Sequence, residues 1–132
     1  MPPIFTEREL DIMSVLWSRG PSTVAEVRAA LGSDVTHNTV ATLLGILEEK
    51  GHVRHVEEGR AFRYFPRVAR EEAGRGVFAR LVDTIFDGSA EAMLTHFVRE
   101  RKLRVDELER IRAVLDEQIE QAGTRRGRRK LP

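Results

Sequence analysis

Residues 36–66 constrain the fold of this chain more than any other stretch. Residues 36–50 read as an amphipathic helix: Val40, Leu43, Leu44 and Leu47 recur at i, i+3, i+4 and i+7 as a buried stripe. The opposite face carries His37, Asn38, Ala41, Thr42, Gly45 and Glu49, whereas a solvated face is usually crowded with Lys, Glu and Arg. Gly45 costs about 1 kcal/mol relative to Ala in a helix interior, which close packing against something would explain. Lys50-Gly51 stops the helix. Residues 52–56 and 61–65 follow as the arms of a hairpin, with Glu57-Glu58-Gly59-Arg60 at its tip and Gly59 able to take the positive φ of a tight turn. Two shorter helical segments come first, so the order is helix, helix, exposed helix, hairpin. That is the order of a winged helix-turn-helix, an architecture that lays one helix in a DNA groove.

Both preceding helices announce their starts. Thr6-Glu7-Arg8-Glu9 is a capping box, followed by Leu10, Met13, Leu16 and Trp17 at helical spacing. Gly20-Pro21 ends that helix. A second box, Thr23-Val24-Ala25-Glu26, opens a short helix with Val24, Val27 and Leu31 inward, closed by Gly32. Thr36 is the expected cap of the third. A two-stranded ribbon is marginal by itself, so Phe62 and Tyr64 are expected to anchor it on the helices, with Arg60 and Arg63 placed to touch phosphate.

Three more helical segments follow. Residues 69–86 carry Phe78, Leu81, Val82, Ile85 and Phe86 as a stripe, and Asp87-Gly88-Ser89 breaks it, with Ser89 capping the next. Residues 90–100 place Met93, Leu94, Phe97 and Val98 on one side; residues 105–122 align Leu108, Ile111, Leu115, Ile119 and Ala122. So small a helical region rarely stabilises itself. Pairing with a second copy is the simplest way to bury Phe78, Leu81, Ile85, Phe97, Leu108, Ile111 and Leu115, and two-fold protein symmetry suits a two-fold DNA site. The expected class is therefore mainly α with a small β-hairpin. A winged helix-turn-helix spans residues 1–66, a helical dimerisation region 67–122, and a basic, disordered tail 123–132.

Charge and composition narrow the function. The net charge of +1 is unevenly spread: residues 1–66 hold 7 Lys+Arg against 9 Asp+Glu, residues 67–122 hold 10 against 12, and residues 123–132 hold 5 cations and no anion. The reading half is not globally basic, which tempers non-specific DNA affinity, while Arg125, Arg126, Arg128, Arg129 and Lys130 could add sequence-independent phosphate contacts. Zero cysteine excludes disulfides, thiolate metal sites and thiol redox sensing. No apolar run reaches the roughly 20 residues of a membrane span, and Met1-Pro2-Pro3 opens no signal pattern. A cytoplasmic location without membrane insertion is expected, with no cofactor.

Several segments, in order and at matching separations, resemble the BlaI/MecI family of penicillinase repressors over roughly residues 5–120: TERELDIMSVLW (6–17), TVATLLGILEEKG (39–51), GRAFRYFP (59–66) and FDGS (86–89). The resemblance implies a homodimeric transcriptional repressor on a palindromic double-stranded DNA operator. It also implies control of β-lactamase or penicillin-binding-protein genes and release through a membrane sensor-protease system. Its DNA-reading positions fall on His37, Asn38, Thr39 and Thr42, with wing contacts at Arg60 and Arg63. Ile46 stands where the family usually has Arg, so one contact is lost and operator preference or affinity should shift. The family's induction cleavage, at an Asn-Phe bond, falls on His96-Phe97; the Phe is kept and the Asn is not, which weakens the case for proteolytic induction. The cysteine-rich copper-responsive branch is excluded by composition.

Rival classes fare worse. No nucleophile elbow, phosphate loop or metalloprotease helix is present, so an enzyme is not expected. His52 and His55 lie three apart on a strand and point to opposite faces, a poor start for a metal-responsive regulator. A winged helix used for protein interaction, or a small-ligand regulator not induced by proteolysis, remains the alternative. The operator, the regulated genes, the inducing signal and the role of the tail are not written in the sequence.

Overall fold

The computed structural model describes the backbone of residues 5–130 and the side chains of residues 5–126. Its elements are α1 (Glu7–Arg19), β1 (Ser22–Thr23), α2 (Val24–Leu31), α3 (His37–Glu49), β2 (Val53–Glu58), β3 (Ala61–Pro66), α4 (Arg70–Thr84), α5 (Ala90–Glu100) and α6 (Val105–Lys130). Mainly helical, with one small sheet, it has the expected class.

Local chemistry sets the helix starts. Thr6 and Thr23 each accept from the amide three residues on, and Glu9 and Glu26 reach back, so both capping boxes close. Thr36 accepts from the Thr39 amide at 3.2 Å. Gly20 and Gly32 follow their helices at φ 88° and 93°, a conformation only glycine adopts cheaply.

The core is the meeting of three helices with the root of the hairpin. Ile12, Met13 and Leu16 from α1, Val27 from α2, Val35, and Val40, Leu44 and Leu47 from α3 close against Val53 and Tyr64. The sheet runs β1-β3-β2, all antiparallel, with Ser22 opposite Tyr64 and His55 opposite Tyr64 on the other side. β1 had no signal in the sequence, being only two residues long. It turns the expected two-stranded ribbon into a three-stranded sheet, which fixes the hairpin's base to the turn before α2.

One charge is buried in this core. Glu9 is 1% exposed, its carboxylate accepting from the Thr6 amide at 2.8 Å and from Lys50 Nζ at 2.8 and 3.1 Å. Desolvation pushes its pKa up, but the Lys50 hydrogen bond, Thr6 and the Lys50 charge together carry it below the ordinary 4.5. The capping residue of α1 is thus also the tie that holds the end of α3. Because the folded state holds this proton less readily than the unfolded chain, the stability Glu9 contributes is complete above about pH 4.5. It is lost as pH falls through the lower folded value. Lys50→Ala strands the buried carboxylate. With the lysine 41% exposed, screening limits the expected loss to about 1–2 kcal/mol at pH 7. The stability lost on acidification should shrink with it, read by denaturant melts at pH 7 and pH 4; an unchanged acid dependence would show that Lys50 does not set the Glu9 titration.

By its contacts the chain divides into two compact units, Met1–Asp87 and Gly88–Pro132. α4 therefore falls in the same unit as the winged helix. The reason is local: the Trp17 indole N–H donates to the Val68 carbonyl at 2.8 Å, Arg70 reaches Ser18 Oγ at 3.1 Å, and Val68 and Ala73 are buried. The break comes at Asp87 and Gly88, at φ 51° and 82°. In the second unit Ser89 caps α5 through the Ala92 amide. α6 runs on to Lys130, through the stretch expected to be disordered. Arg and Lys are good helix formers, only Gly123 and Gly127 interrupt, and cations suit a helix C-terminus. The side chains of Arg128, Arg129 and Lys130 lie outside the described residues.

Candidate nucleic-acid interface

α3 buries Val40, Leu44 and Leu47 completely, and that fixes what it shows to solvent. His37, Asn38, Thr39, Thr42, Gly45, Ile46 and Glu49 are all exposed, with Ala41 and Leu43 at the margins. At 100° per residue, Asn38, Thr42, Gly45 and Glu49 centre the outward face. A Cβ built on Gly45 meets nothing within 4 Å. No packing inside this unit requires a glycine there, so the close approach anticipated from the sequence is not to another part of the chain described around it. Thr39 differs from its neighbours: its hydroxyl lies 2.9 Å from that of Thr36 and is engaged in the cap.

The hairpin supplies the second side. Arg60 stands exposed at its tip, and with His37, Ala61, Phe62 and the first turn of α2 (Thr23, Val24, Ala25) it lines a groove of roughly 260 Å³. His37 and Arg60, 23 residues apart in sequence, therefore face one concavity into which the α2 N-terminus also opens.

Arg63 is placed otherwise. Its guanidinium pairs with Glu58 on the facing strand, with Glu26 Oε1 at 3.1 Å and with the Pro21 carbonyl at 2.9 Å. The hydrogen bond to Glu58 leads in raising its pKa, desolvation opposes, and Glu26 adds to the rise. The Glu26 carboxyl is held low chiefly by the Thr23 hydroxyl, with Arg63 adding to it. Arg63 thus ties the hairpin to α2 and to the turn before it; Arg54, exposed on β2, lies over the Phe65 ring at 4.4 Å, and Arg60 is the cation at the hairpin's tip. Strand alternation placed Arg63 on a face but gave no hint of its three partners.

Phe62 also departs from expectation. It shares a strand face with the buried Tyr64, yet is 42% exposed and stacks on His55 at 4.3 Å. Two residues along a strand cover about 6.6 Å, enough to carry Phe62 past the helices that cover Tyr64. His55 in turn meets both Glu48 carboxylate oxygens through Nδ1, at 2.6 and 2.8 Å, tying the hairpin to the end of α3. His52 packs on Phe5 instead. Among the described residues no group of three or more His, Cys, Asp or Glu is arranged to hold a metal ion.

The residues expected in dimerisation are placed on unpartnered surface within each unit. Phe78 and Ile85 on α4 are well exposed, Ile85 at 67%, with Leu81 half-buried beside them. In the second unit Phe97, Leu108 and Leu115 are exposed and Ile111 half-buried. His96 and Phe97 lie inside the helical span of α5. No helix among the described residues is long and apolar enough to cross a membrane.

A three-helix core, an outward third helix with short polar side chains, and a hairpin with an exposed arginine at its tip define a winged-helix protein built to bind DNA. The family follows from comparison. The penicillinase repressor family matches residues 5–117, and the chain belongs to it. The chain is 36% identical over 113 residues to the transcriptional regulator BlaI of Mycobacterium tuberculosis, covering 83% of this chain and 80% of that one. It is 26% identical over 117 residues to a penicillinase repressor of Bacillus licheniformis, covering 87% and 91%. A solution structure of the DNA-binding domain of the repressor BlaI aligns with 55% of this chain and 90% of that one, at 31% identity and a TM-score of 0.49. As a member of this family the chain is a DNA-binding transcriptional repressor.

Proposed function

We propose that this protein represses transcription as a homodimer on a palindromic operator. Each winged helix reads one half-site with Asn38 and Thr42 on α3, while His37 and Arg60 hold backbone phosphate. The observation that carries the reading is the outward face of α3: exposed, without Lys or Arg, and flanked by the hairpin's exposed arginine. Side chains of this kind read base edges; they add little unspecific attraction. The exposed apolar residues of α4, α5 and α6 support the dimer, since a second copy would bury them.

The names of the relatives, a penicillinase repressor and a methicillin resistance regulatory protein, support β-lactamase or penicillin-binding-protein genes as the regulated set. Release follows a sensor-linked signal. Cleavage at His96-Phe97 would have to open α5 first, because that bond lies six residues inside a helix running from Ala90 to Glu100. The site of action is the cytoplasm.

DNA from upstream of the protein's own gene, footprinted with salt and competitor present, tests the reading. Two symmetric protected half-sites at nanomolar protein are expected; salt-labile smearing alone would overturn it. The two wing arginines separate in the same assay. Arg60→Ala weakens operator and scrambled duplex alike and lowers the log-log salt slope by about 0.9 per half-site. Arg63→Ala leaves the slope in place and lowers thermal stability. A slope change on losing Arg63 would return that residue to the phosphate backbone.

A further inference from the structure

Resting on the repressor reading above, we infer that Ile46 is a specificity-determining residue that reads the methyl group of a thymine in each half-site. Ile46 is 37% exposed on the outward side of α3, a branched apolar side chain on a face otherwise made of polar residues and glycine. It follows Thr42 by four residues and Thr39 by seven, the spacing that stacks side chains along one edge of a helix. Gly45 beside it has no side chain, and the space a Cβ would take there holds nothing within 4 Å. The absent side chain at Gly45 leaves the centre of the face low, so an incoming surface can approach Ile46 at its edge.

The edge it completes is chemically uniform. Thr39, Thr42 and Ile46 are all β-branched and each carries a methyl group at Cγ. The Thr39 hydroxyl is occupied with Thr36, so what Thr39 has to spare for a partner is its methyl. In the major groove the one apolar feature among the base edges is the thymine C5-methyl, and threonine methyls and other apolar side chains are the groups that meet it. Neither hydrogen bonding nor phosphate contact is open to Ile46. From Thr39 to Ile46 the helix rises about 10.5 Å, seven residues at 1.5 Å each. Hydrogen-bonding readout by Asn38 and Thr42 thus has beside it a methyl-bearing edge, which Ile46 extends by one helical turn beyond Thr42.

Deoxyuridine replaces thymine without altering a single hydrogen-bonding group, so it isolates the methyl. The probe is the footprinted duplex from upstream of the protein's own gene, with each thymine of one half-site replaced in turn. Wild-type protein should bind about fourfold more weakly at one position, the worth of one methyl group withdrawn from water. Ile46→Ala should lose a similar factor on the thymine duplex and become indifferent to uracil at that position alone. Ile46→Val, which keeps a Cγ methyl, should retain part of the sensitivity. Because the side chain faces outward and is 37% exposed, the variants should stay folded, with melting temperatures only slightly below wild type. A footprint with uracil sensitivity that Ile46→Ala leaves unchanged at every position overturns this inference and leaves the repressor reading standing. Absence of any discrete footprint overturns the repressor reading, and Ile46 as a reader with it.

Discussion

Leu44→Ala should lower the stability of the winged helix by about 2–5 kcal/mol and its melting temperature by about 15 °C. Leu44 is fully buried where α3 crosses the core, surrounded by Ile12, Met13 and Leu16 of α1, Val27 of α2 and the root of the hairpin. Truncation removes three heavy atoms from that contact and leaves a cavity that three helices and a sheet cannot jointly collapse to fill. Helix propensity cannot rescue it: Ala is the better helix former, but only by a few tenths of a kcal/mol. Ile46→Ala is the control, two positions along the same helix with a side chain of the same volume, 37% exposed, and should cost no more than about 1.5 kcal/mol. Thermal melts followed by circular dichroism read both. Similar losses for the two would mean that α3 is rotated from the orientation described, and the reading face with it.

That rotation was legible before any coordinates. A helix whose inward residues recur at i, i+3, i+4 and i+7 leaves no freedom about which residues face out, so Asn38 and Thr42 could be placed from the spacing of four aliphatic side chains. The caps of α1, α2 and α3 were equally plain, since each threonine meets the residue three positions on, Glu9, Glu26 or Thr39, through local geometry alone. What escaped depends on residues far apart in the chain. Glu9 reads as a cap, and nothing near it announces that Lys50, 41 residues later, will reach it in the core. Strand alternation gives Arg63 a side but not Glu26 or the Pro21 carbonyl as its occupants. Phe62 and Tyr64 have the same parity and opposite fates, decided by how far the hairpin projects beyond the helices. α4 shows the same limit: its apolar stripe resembles that of the helices after it, and what attaches it to the winged helix is the Trp17–Val68 and Arg70–Ser18 hydrogen bonds and the burial of Val68 and Ala73. The outward face of α3 was therefore readable, and the surroundings of the hairpin's side chains only half so.

Asn38→Ala should cost about 1–3 kcal/mol on the operator for each half-site, a loss of roughly ten- to a hundredfold, and far less on a scrambled duplex. Thr42→Ala should behave alike on a smaller scale. Asn carries a donor and an acceptor that can pair with adenine in the major groove, and on α3 it is exposed at the centre of the outward face, with no cation there to substitute. Removing it should therefore delete discrimination and leave the phosphate contacts proposed for Arg60, so the salt slope should not move. Thr39→Ala makes the contrast. Its hydroxyl is committed to Thr36, so its loss should appear first in the stability of the α3 N-terminus and only weakly in base discrimination. Fluorescence anisotropy on the footprinted duplex and on a scrambled one, across a salt series, separates these cases. If Asn38→Ala weakened both duplexes equally, or flattened the salt dependence, Asn38 would be a backbone contact. The bases would then be read elsewhere, leaving the later half of α3, with Ile46 and Glu49, as the next face to test.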